Sequence, residues 1–475
     1  APQLSFDGDP PNNAAHRAMM EALGAVREGE PARSSIVLAA EASALTALRR
    51  EGYADAIAGE RRVVVDHASL RVSTDFHFTA DSLVRLGAVR AEPANVFRPS
   101  YISSLRNWRE GAAYTPEALA RLRRDMTATG AASRVATHLA PPNADGQRDV
   151  VLELEPAKRN AYEIGFGYST TEGAGVEAQW TRRNFTQRAD ALTASITLGS
   201  MLSNASLTWA RPHAAGLGHT LSLGISGAHE HTDAFRRDGI ALFASVDASQ
   251  RVRDGRSFGL RLAADAYDNL PNAVVVSAFA DLRRDTTDFS LDPRAGSILE
   301  ARIEPTYANS GANTAFARAT AEARAYRSLG DQQHLTLAAR VRTGWLEPLV
   351  GNADAAPADR RFYAGGGGSV RGYPYNAIYP LERDALGLPP GGQGLLEGSL
   401  EARWRFNGGL GFTAFVDGAS AFDHWREATD LHWGAGVGVR YDLGFAPLRV
   451  DLAVPLDHDF ASNNYALYIS VGQAF

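Results

Sequence analysis

The chain has no cysteine among its 475 residues. A thiolate nucleophile, a disulfide framework and a zinc–thiolate site are therefore excluded. Exported bacterial proteins tolerate that absence and so do cytosolic ones, so it fixes no compartment. Lysine is almost missing as well: Lys158 stands alone, and arginine carries the rest of the positive charge. That removes the lysine of a phosphate-binding loop and leaves one residue for any Schiff base. No stretch approaches the ~18 consecutive apolar residues of a membrane-spanning helix. The opening segment, Ala1 to Pro11, has neither the charged nor the apolar region of a secretory signal. The expectation is that such a signal has been removed or that the chain starts inside a larger precursor. The formal net charge of -6 lacks the basic excess of a nucleic-acid binder. Neither a G-x-S-x-G elbow nor an HExxH helix occurs, so no enzyme and no cofactor are expected.

What is present falls into two regions of different period. The first 157 residues mix helix and strand. Asn12 to Val26 and Ser35 to Arg50 carry apolar residues at helical spacing, and Gly52 ends the second helix. Arg62 to Val65 and Leu70 to Phe78 read as strands. A second unit follows: a strand at Leu86 to Val89, a short helix at Tyr101 to Trp108, and a helix opened by Thr115 with Pro116 at its first position. Strands at Val135 to Leu139 and Val150 to Leu154 close it. The order strand, helix, helix, strand, strand thus recurs in about 75 residues each time, with expected domains at 1–81 and 82–157.

From 158 to 475 strict alternation takes over. Leu192, Ala194, Ile196 and Leu198 fall on one face, with Thr193, Ser195 and Thr197 on the other. Leu260 and Leu262 alternate with Arg261, and Val450 and Leu452 with Arg449 and Asp451. About sixteen such segments occur, each near the ~9–11 residues that cross a bilayer at a tilt. They begin near Asn160, Gly173, Asp190, Leu202, Thr220, Gly239, Ser257, Ala273, Ser297, Thr314, His334, Gly394, Leu410, Leu431, Leu448 and Tyr465. The even count suits an up-and-down transmembrane β-barrel. A soluble sandwich or propeller is the competing reading. A sheet facing bulk water tends to carry abundant lysine, whereas here arginine and carboxylates mix on the polar face, as in a lumen where charges pair. Trp180, Phe185, Trp209, Trp404, Phe406 and Trp433 near strand ends fit a membrane-interface girdle.

One connection is long, from about Leu346 to Gln393, and it contains Arg361-Phe-Tyr-Ala-Gly-Gly-Gly-Gly-Ser-Val-Arg-Gly-Tyr-Pro-Tyr375. In a lumen Arg371 needs carboxylate partners, and its fork can hold one bidentately. Asp417, Glu397 and Glu401 lie on polar strand faces and are the candidates. The competing reading is a flexible surface loop. His229-Glu-His231 offers two imidazoles on one strand face, but without a third ligand nearby it reads as a solvated strand end, and no metal is expected.

Val370-Arg371-Gly372-Tyr373, after its glycine run, resembles the loop-six signature of the POTRA-barrel outer-membrane family, which includes BamA, TamA and the two-partner secretion transporters. Asp281 to Asp285 with Asp292 to Gly296 resembles the mid-barrel segment of that family, and Leu448 to Leu456 its penultimate strand. The ending Tyr468 to Phe475 resembles the terminal aromatic signal of barrel proteins. Ile164 to Gly173 and Trp180 to Asn184 look most like TamA, the translocation and assembly module. The resemblance implies two N-terminal POTRA domains in the periplasm and a barrel in the outer membrane of a Gram-negative bacterium. It makes Arg371 the arginine that locks the loop against the wall, with Asp417 its foremost partner. It implies assembly or translocation of unfolded outer-membrane or autotransporter clients, contact with outer-membrane lipid, and an inner-membrane-anchored, periplasm-spanning subunit as a partner. Only two POTRA-like units are found, against the three usual in TamA relatives and five in BamA relatives. Two also match the secretion transporters, so export of a partner protein through the barrel stays open. A barrel phospholipase and a passive porin are further alternatives.

Closure requires the first strand, with Ile164, Gly165, Phe166, Gly167 and Tyr168, to meet the last, with Tyr468, Gly472 and Phe475. Glycine weakens a strand, so this seam is expected to open sideways and offer an edge to a client. The competing reading is that the glycines only make room for the neighbouring aromatics.

Overall fold

The computed structural model describes residues 3–27, 29–31, 33–251, 254–330, 334–380, 391–406, 408–444, 446–460 and 463–471. It divides into two compact units, Ala1–Lys158 with Thr186–Ala189, and Arg159–Phe185 with Asp190–Phe475.

In the first unit, β1 (Gln3–Phe6), α1 (Asn13–Ala22), α2 (Ser34–Arg50), β2 (Ile57–Ala58), β3 (Arg62–Asp66) and β4 (Arg71–Thr79) form one layer of helices on one sheet. β1 runs parallel to β4, while β2 and β3 pair with β4 antiparallel. Met19, Leu23, Leu48, Phe76 and Phe78 fill the space between sheet and helices. A second sheet follows from β5 (Arg85–Glu92), α3 (Pro99–Ser104), α4 (Pro116–Ala128), β6 (Ala132–Pro142) and β7 (Gln147–Pro156), in the order β5-β7-β6. Thr115 caps α4 by accepting the Ala118 N–H at 3.3 Å, and Pro116 opens the helix. The sequence pattern began the first repeat at its helices; the structure places β1 before them and adds β2. The helix expected over Tyr101 to Trp108 stops at Ser104. Trp108 instead donates its indole N–H to the Gly87 carbonyl at 3.0 Å, which pulls the chain out of helical geometry.

The second unit is a closed barrel of sixteen strands. They are β8 (Asn160–Ser169), β9 (Gly173–Arg183), β10 (Ala191–Gly199), β11 (Leu202–Pro212), β12 (His219–His231), β13 (Arg236–Arg251), β14 (Asp254–Tyr267), β15 (Ala273–Asp285), β16 (Ala295–Asn309), β17 (Asn313–Leu329), β18 (Leu335–Val350), β19 (Gly394–Arg405), β20 (Leu410–Phe422), β21 (His432–Asp442), β22 (Pro447–Pro455) and β23 (Ala466–Val471). Each pairs antiparallel with its neighbours in sequence, and β23 returns to β8. Strand starts fall within about three residues of the alternation pattern, because a period of two sets register as well as facing.

Facing follows the same rule. Phe258, Leu260 and Leu262 of β14 point outward and are exposed, while Asp265 of the same strand is buried inside. Within the wall, polar side chains bond across strands: Ser195 to Ser206 at 2.7 Å, and Thr181 to Thr193 at 3.3 Å. Phe185, Trp404, Phe406 and Trp433 are exposed near strand ends. Trp180 and Trp209 are half-buried and donate to Asn160 and Asp190. Strand lengths depart from the expected ~9–11 residues for a bilayer span. β17 has 17 residues, whereas β23 has 6 among those described. The strands of β13 to β18 are all longer than β8 to β10, so the wall across from the closure stands taller than the closure itself.

Leu260 lies midway along its strand and faces outward. Leu260→Arg is expected to cost about 2–4 kcal/mol in urea unfolding from lipid vesicles, the penalty of a cation at the bilayer midplane. An unchanged midpoint would contradict a lipid-facing position.

Candidate functional site: an arginine held inside the barrel

Strand parity places the end of β18 on the rim that also carries the turn between β8 and β9, because β8 and β18 run in the same direction, and the long connection leaves from there. The connection does not stay outside. Phe362 bridges to Gly392 and Ala364 to Ile378, so the glycine-rich part folds back as a narrow hairpin. Its tip closes on itself: Gly366 N–H reaches the Tyr373 carbonyl at 3.1 Å, and Ser369 N–H the Gly366 carbonyl at 3.1 Å. Val370, Arg371 and Tyr373 are all buried. This excludes the surface-loop reading.

Arg371 is 1% exposed. Its Nε and one terminal nitrogen grip Asp417 at 2.7 and 2.9 Å, and the other terminal nitrogen reaches Glu401 at 3.0 Å and Asp451 at 3.2 Å. Its backbone N–H also meets Asp417, at 3.2 Å, and Ser399 donates to the same carboxylate at 2.5 Å. The guanidinium carbon lies 3.3 Å from the centre of the Phe415 ring. Burial of a lone cation costs several kcal/mol, and only full hydrogen bonding to carboxylates offsets it. Burial alone would pull the Arg371 pKa down, but the bonds to Asp417 and the attraction of Asp417, Glu401 and Asp451 hold it above the ordinary value. The charge is therefore retained. Around it Arg403 bonds Glu401, and Arg440 and Arg449 bond Asp451.

Two neighbours fix the turn. Gly372 adopts φ +110°, and a Cβ there would sit 2.9 Å from the Pro455 nitrogen, so neither the backbone angle nor the space admits a side chain. Tyr373 donates its hydroxyl to the carbonyls of Trp433 and Asp457 at 3.1 and 3.3 Å.

The structure brings Asp417 and Glu401 to Arg371 but not Glu397. Glu397 accepts from Ser369 at 2.5 Å and faces Arg342 and Arg340 at 3.6 and 3.8 Å. Alternation gives the correct face but not the height: four residues of strand separate Glu397 from Glu401, about 13 Å at the usual rise. Asp451 was missed as a partner, although its polar facing with Arg449 was legible. What the sequence hides is that β20 and β22 both flank the place where the loop lands.

A second anchor was also missed. Asp359 accepts from Tyr267 at 2.5 Å and lies 3.2 Å from Arg237, which also pairs with Asp265 and Glu230. Arg360 approaches Asp265 and Glu304 at 3.7 and 3.9 Å. The loop is thus tied to β13, β14 and β16 before it reaches β20. No motif marks these residues, since the loop pair Asp359 and Arg360 meets a cluster of partners spread over four separate strands, β12, β13, β14 and β16.

At the closure, Ile164 and Phe166 point outward and Tyr468 inward. Ser169, Tyr168 and Gly167 pair with Tyr468, Ile469 and Ser470. On its other edge β8 makes ten such pairs. Gly472 and Phe475 lie outside the described residues. A Cβ at Gly165 or Gly167 would meet only ordinary contacts, at 3.8 and 3.6 Å, so close packing does not demand glycine there. His229 pairs with Asp238 and His231 with Arg236, while Glu230 turns inward to Arg237. They do not converge on a common point. His432, Asp457 and Asp459 do bring ligand atoms within 4.8 Å of one another, but His432 and the Trp433 N–H already occupy both Asp457 oxygens.

Residues 160–475 match the family model described as the Omp85 superfamily domain. The outer membrane protein assembly factor BamA of Nitratidesulfovibrio vulgaris is 26% identical over 382 residues, which cover 75% of this chain and 47% of that protein. The chain therefore spans about half the length of that curated relative. Among solved structures, BamA from Haemophilus ducreyi lacking POTRA domains 1–3 shares the fold with a TM-score of 0.77 at 16% identity, over 99% of both chains. CdiB from Acinetobacter baumannii gives 0.53 at 12% identity, over 99% of this chain and 88% of that one.

Arg371→Lys keeps the charge but loses the fork that serves three carboxylates. Amide hydrogen exchange across Gly365–Tyr373 is expected to rise at least tenfold, against an unchanged rate in β16 and β17. Wild-type protection in the loop would show that the guanidinium does not hold it.

Proposed function

The chain belongs to the Omp85 superfamily, and from that premise we propose that it assembles client proteins into the outer membrane by opening the seam between β8 and β23. The observation that carries the reading is an imbalance of strength. The loop in the lumen is fixed by a buried guanidinium with four bonds to three carboxylates, and breaking such a group costs about 3–5 kcal/mol. The seam has three residue pairs among the described residues, each hydrogen bond contributing about 0.5–1.5 kcal/mol. Among the described residues the β8 edge that meets β23 has three pairs against ten on its β9 side, so the wall parts along that edge while the loop stays seated. An opened wall presents unpaired strand edges facing lipid, which are templates for a client strand.

In this reading Ala1–Lys158 supplies two POTRA domains, 1–81 and 82–157, that sit in the periplasm and hand over unfolded outer-membrane or autotransporter clients. Their strand–helix–helix–strand–strand order supports that assignment. The segments Ile164 to Gly173 and Trp180 to Asn184 resemble those of the translocation and assembly module, and that resemblance supports a TamA-like role with an inner-membrane-anchored subunit as the implied partner. Val370 to Tyr373 form the lock, with Arg371 held by Asp417, Glu401 and Asp451. Export of a partner through the lumen is the second reading, favoured by the shared fold with CdiB. It requires the loop to leave both anchors, which seam opening does not. Neither reading needs a catalytic residue.

Tyr168 and Ile469 are direct partners across the seam, and the chain has no other cysteine to interfere. Tyr168→Cys with Ile469→Cys should, when oxidised, stop assembly of a barrel client in reconstituted vesicles, and reduction should restore it. Full assembly by the oxidised protein would rule out the lateral route and leave passage through the lumen.

A further inference from the structure

The seam is not closed by strand pairing alone. On the β8 side, Glu172 in the turn before β9 accepts the N–H of Gly367 at 2.5 Å. On the β23 side, the Tyr468 hydroxyl accepts the N–H of Gly372 at 3.0 Å. Gly367 and Gly372 are the two ends of the turn that carries Arg371, and Gly366 N–H to the Tyr373 carbonyl ties those ends together. One compact knot of loop backbone therefore grips both edge strands from inside the barrel.

The fit is close on both sides. A Cβ at Gly366 would lie 2.7 Å from the Glu172 carboxylate, and one at Gly367 would lie 3.0 Å from the Tyr468 ring. The turn that presents Glu172 is itself fixed, since Ser169 accepts the Glu172 N–H at 2.8 Å. Thr170 then exchanges two bonds of 2.9 Å with Leu467, and Thr171 lies 3.4 Å from the Tyr468 hydroxyl. A cavity of about 490 Å³, lined by Gly165, Gly167, Glu172, Gly367, Gly368 and Tyr468, adjoins these contacts.

We propose that Glu172 and Tyr468 are positioning residues that staple the lumen loop across the two edge strands, so that a seated loop favours a closed seam while the Arg371 anchor can hold after the staple lets go. Releasing the loop removes a bond from each edge at once. Parting the edges pulls the Gly367 and Gly372 amides in opposite directions. A client strand that pairs with either edge then competes with the loop as well as with the opposite strand. By linkage the coupling is reciprocal: a seated loop stabilises the seam by the same factor as a closed seam stabilises the loop. This inference rests on the lateral reading for its purpose but not for its measurement.

The test is amide hydrogen exchange on the full chain in lipid nanodiscs, without client, read separately in β8 with β23, in the 362–378 loop, and in β16 with β17 as a folding control. Tyr468→Phe removes the acceptor and Glu172→Ala the other. Each should raise exchange roughly three- to tenfold in the seam and in the loop together, with the control unchanged. Glu172→Gln keeps an acceptor oxygen and should restore wild-type exchange in both. Arg371→Lys should accelerate the seam as well as the loop. If Tyr468→Phe loosens the seam and leaves the loop protected, or Arg371→Lys loosens the loop and leaves the seam protected, the two are independent and the staple is wrong. A cysteine lock that leaves assembly intact would overturn the lateral function while these coupled rates still stood.

Discussion

The tip of the loop inside this barrel is organised by one desolvated guanidinium. Arg371 sits where neither water nor lipid reaches it, and it is tolerated only because Asp417, Glu401 and Asp451 converge from three different strands. That convergence fixes more than a side chain. Gly372 and Tyr373 follow Arg371 directly and are placed against β22 and β21, and Ser369 just before it is placed against Glu397. A hairpin of glycines has no intrinsic reason to hold one shape, since glycine loses the most conformational entropy on ordering. Here the order is imposed from the ends by charge.

The wall obeys a different constraint. Each strand must satisfy its backbone through its neighbours, because lipid offers no hydrogen bonds. Long strands such as β16 and β17 do so over fifteen register pairs. Among the described residues the closure between β8 and β23 has three. The glycines of β8 add to the disparity without being required by packing. The contents of the lumen are anchored at Arg371 and again at Asp359 and Arg360.

Much of this was legible before any coordinates. A period of two is unambiguous over strands such as Leu192 to Leu198, and it gave the barrel, its strand count and the facing of Asp417 and Glu401. The helix cap at Thr115 and Pro116 was equally local. Three things were not legible. Glu397 shares a face with Glu401 but lies about 13 Å along the strand, and height cannot be read from alternation. Asp451 belongs to the same cradle because the loop lands across β19, β20 and β22, and where a loop lands is not written in strand alternation. Asp359 and Arg360 meet Arg237, Asp265 and Glu304 across the lumen, from four separate elements that share no motif. Local chemistry is written in neighbouring residues; contacts made by closing a cylinder are not.

The claim that the buried charge pair holds the loop is tested most directly by a double-mutant cycle on Arg371 and Asp417, read as urea unfolding in vesicles. With Arg371→Met and Asp417→Leu made singly and together, the account predicts that the double variant loses less than the sum of the two, by about 1–3 kcal/mol, because removing both leaves no unpaired partner between them. Losses that add to within about 0.5 kcal/mol would mean that the two groups do not depend on each other, and the cradle would not be what seats the loop.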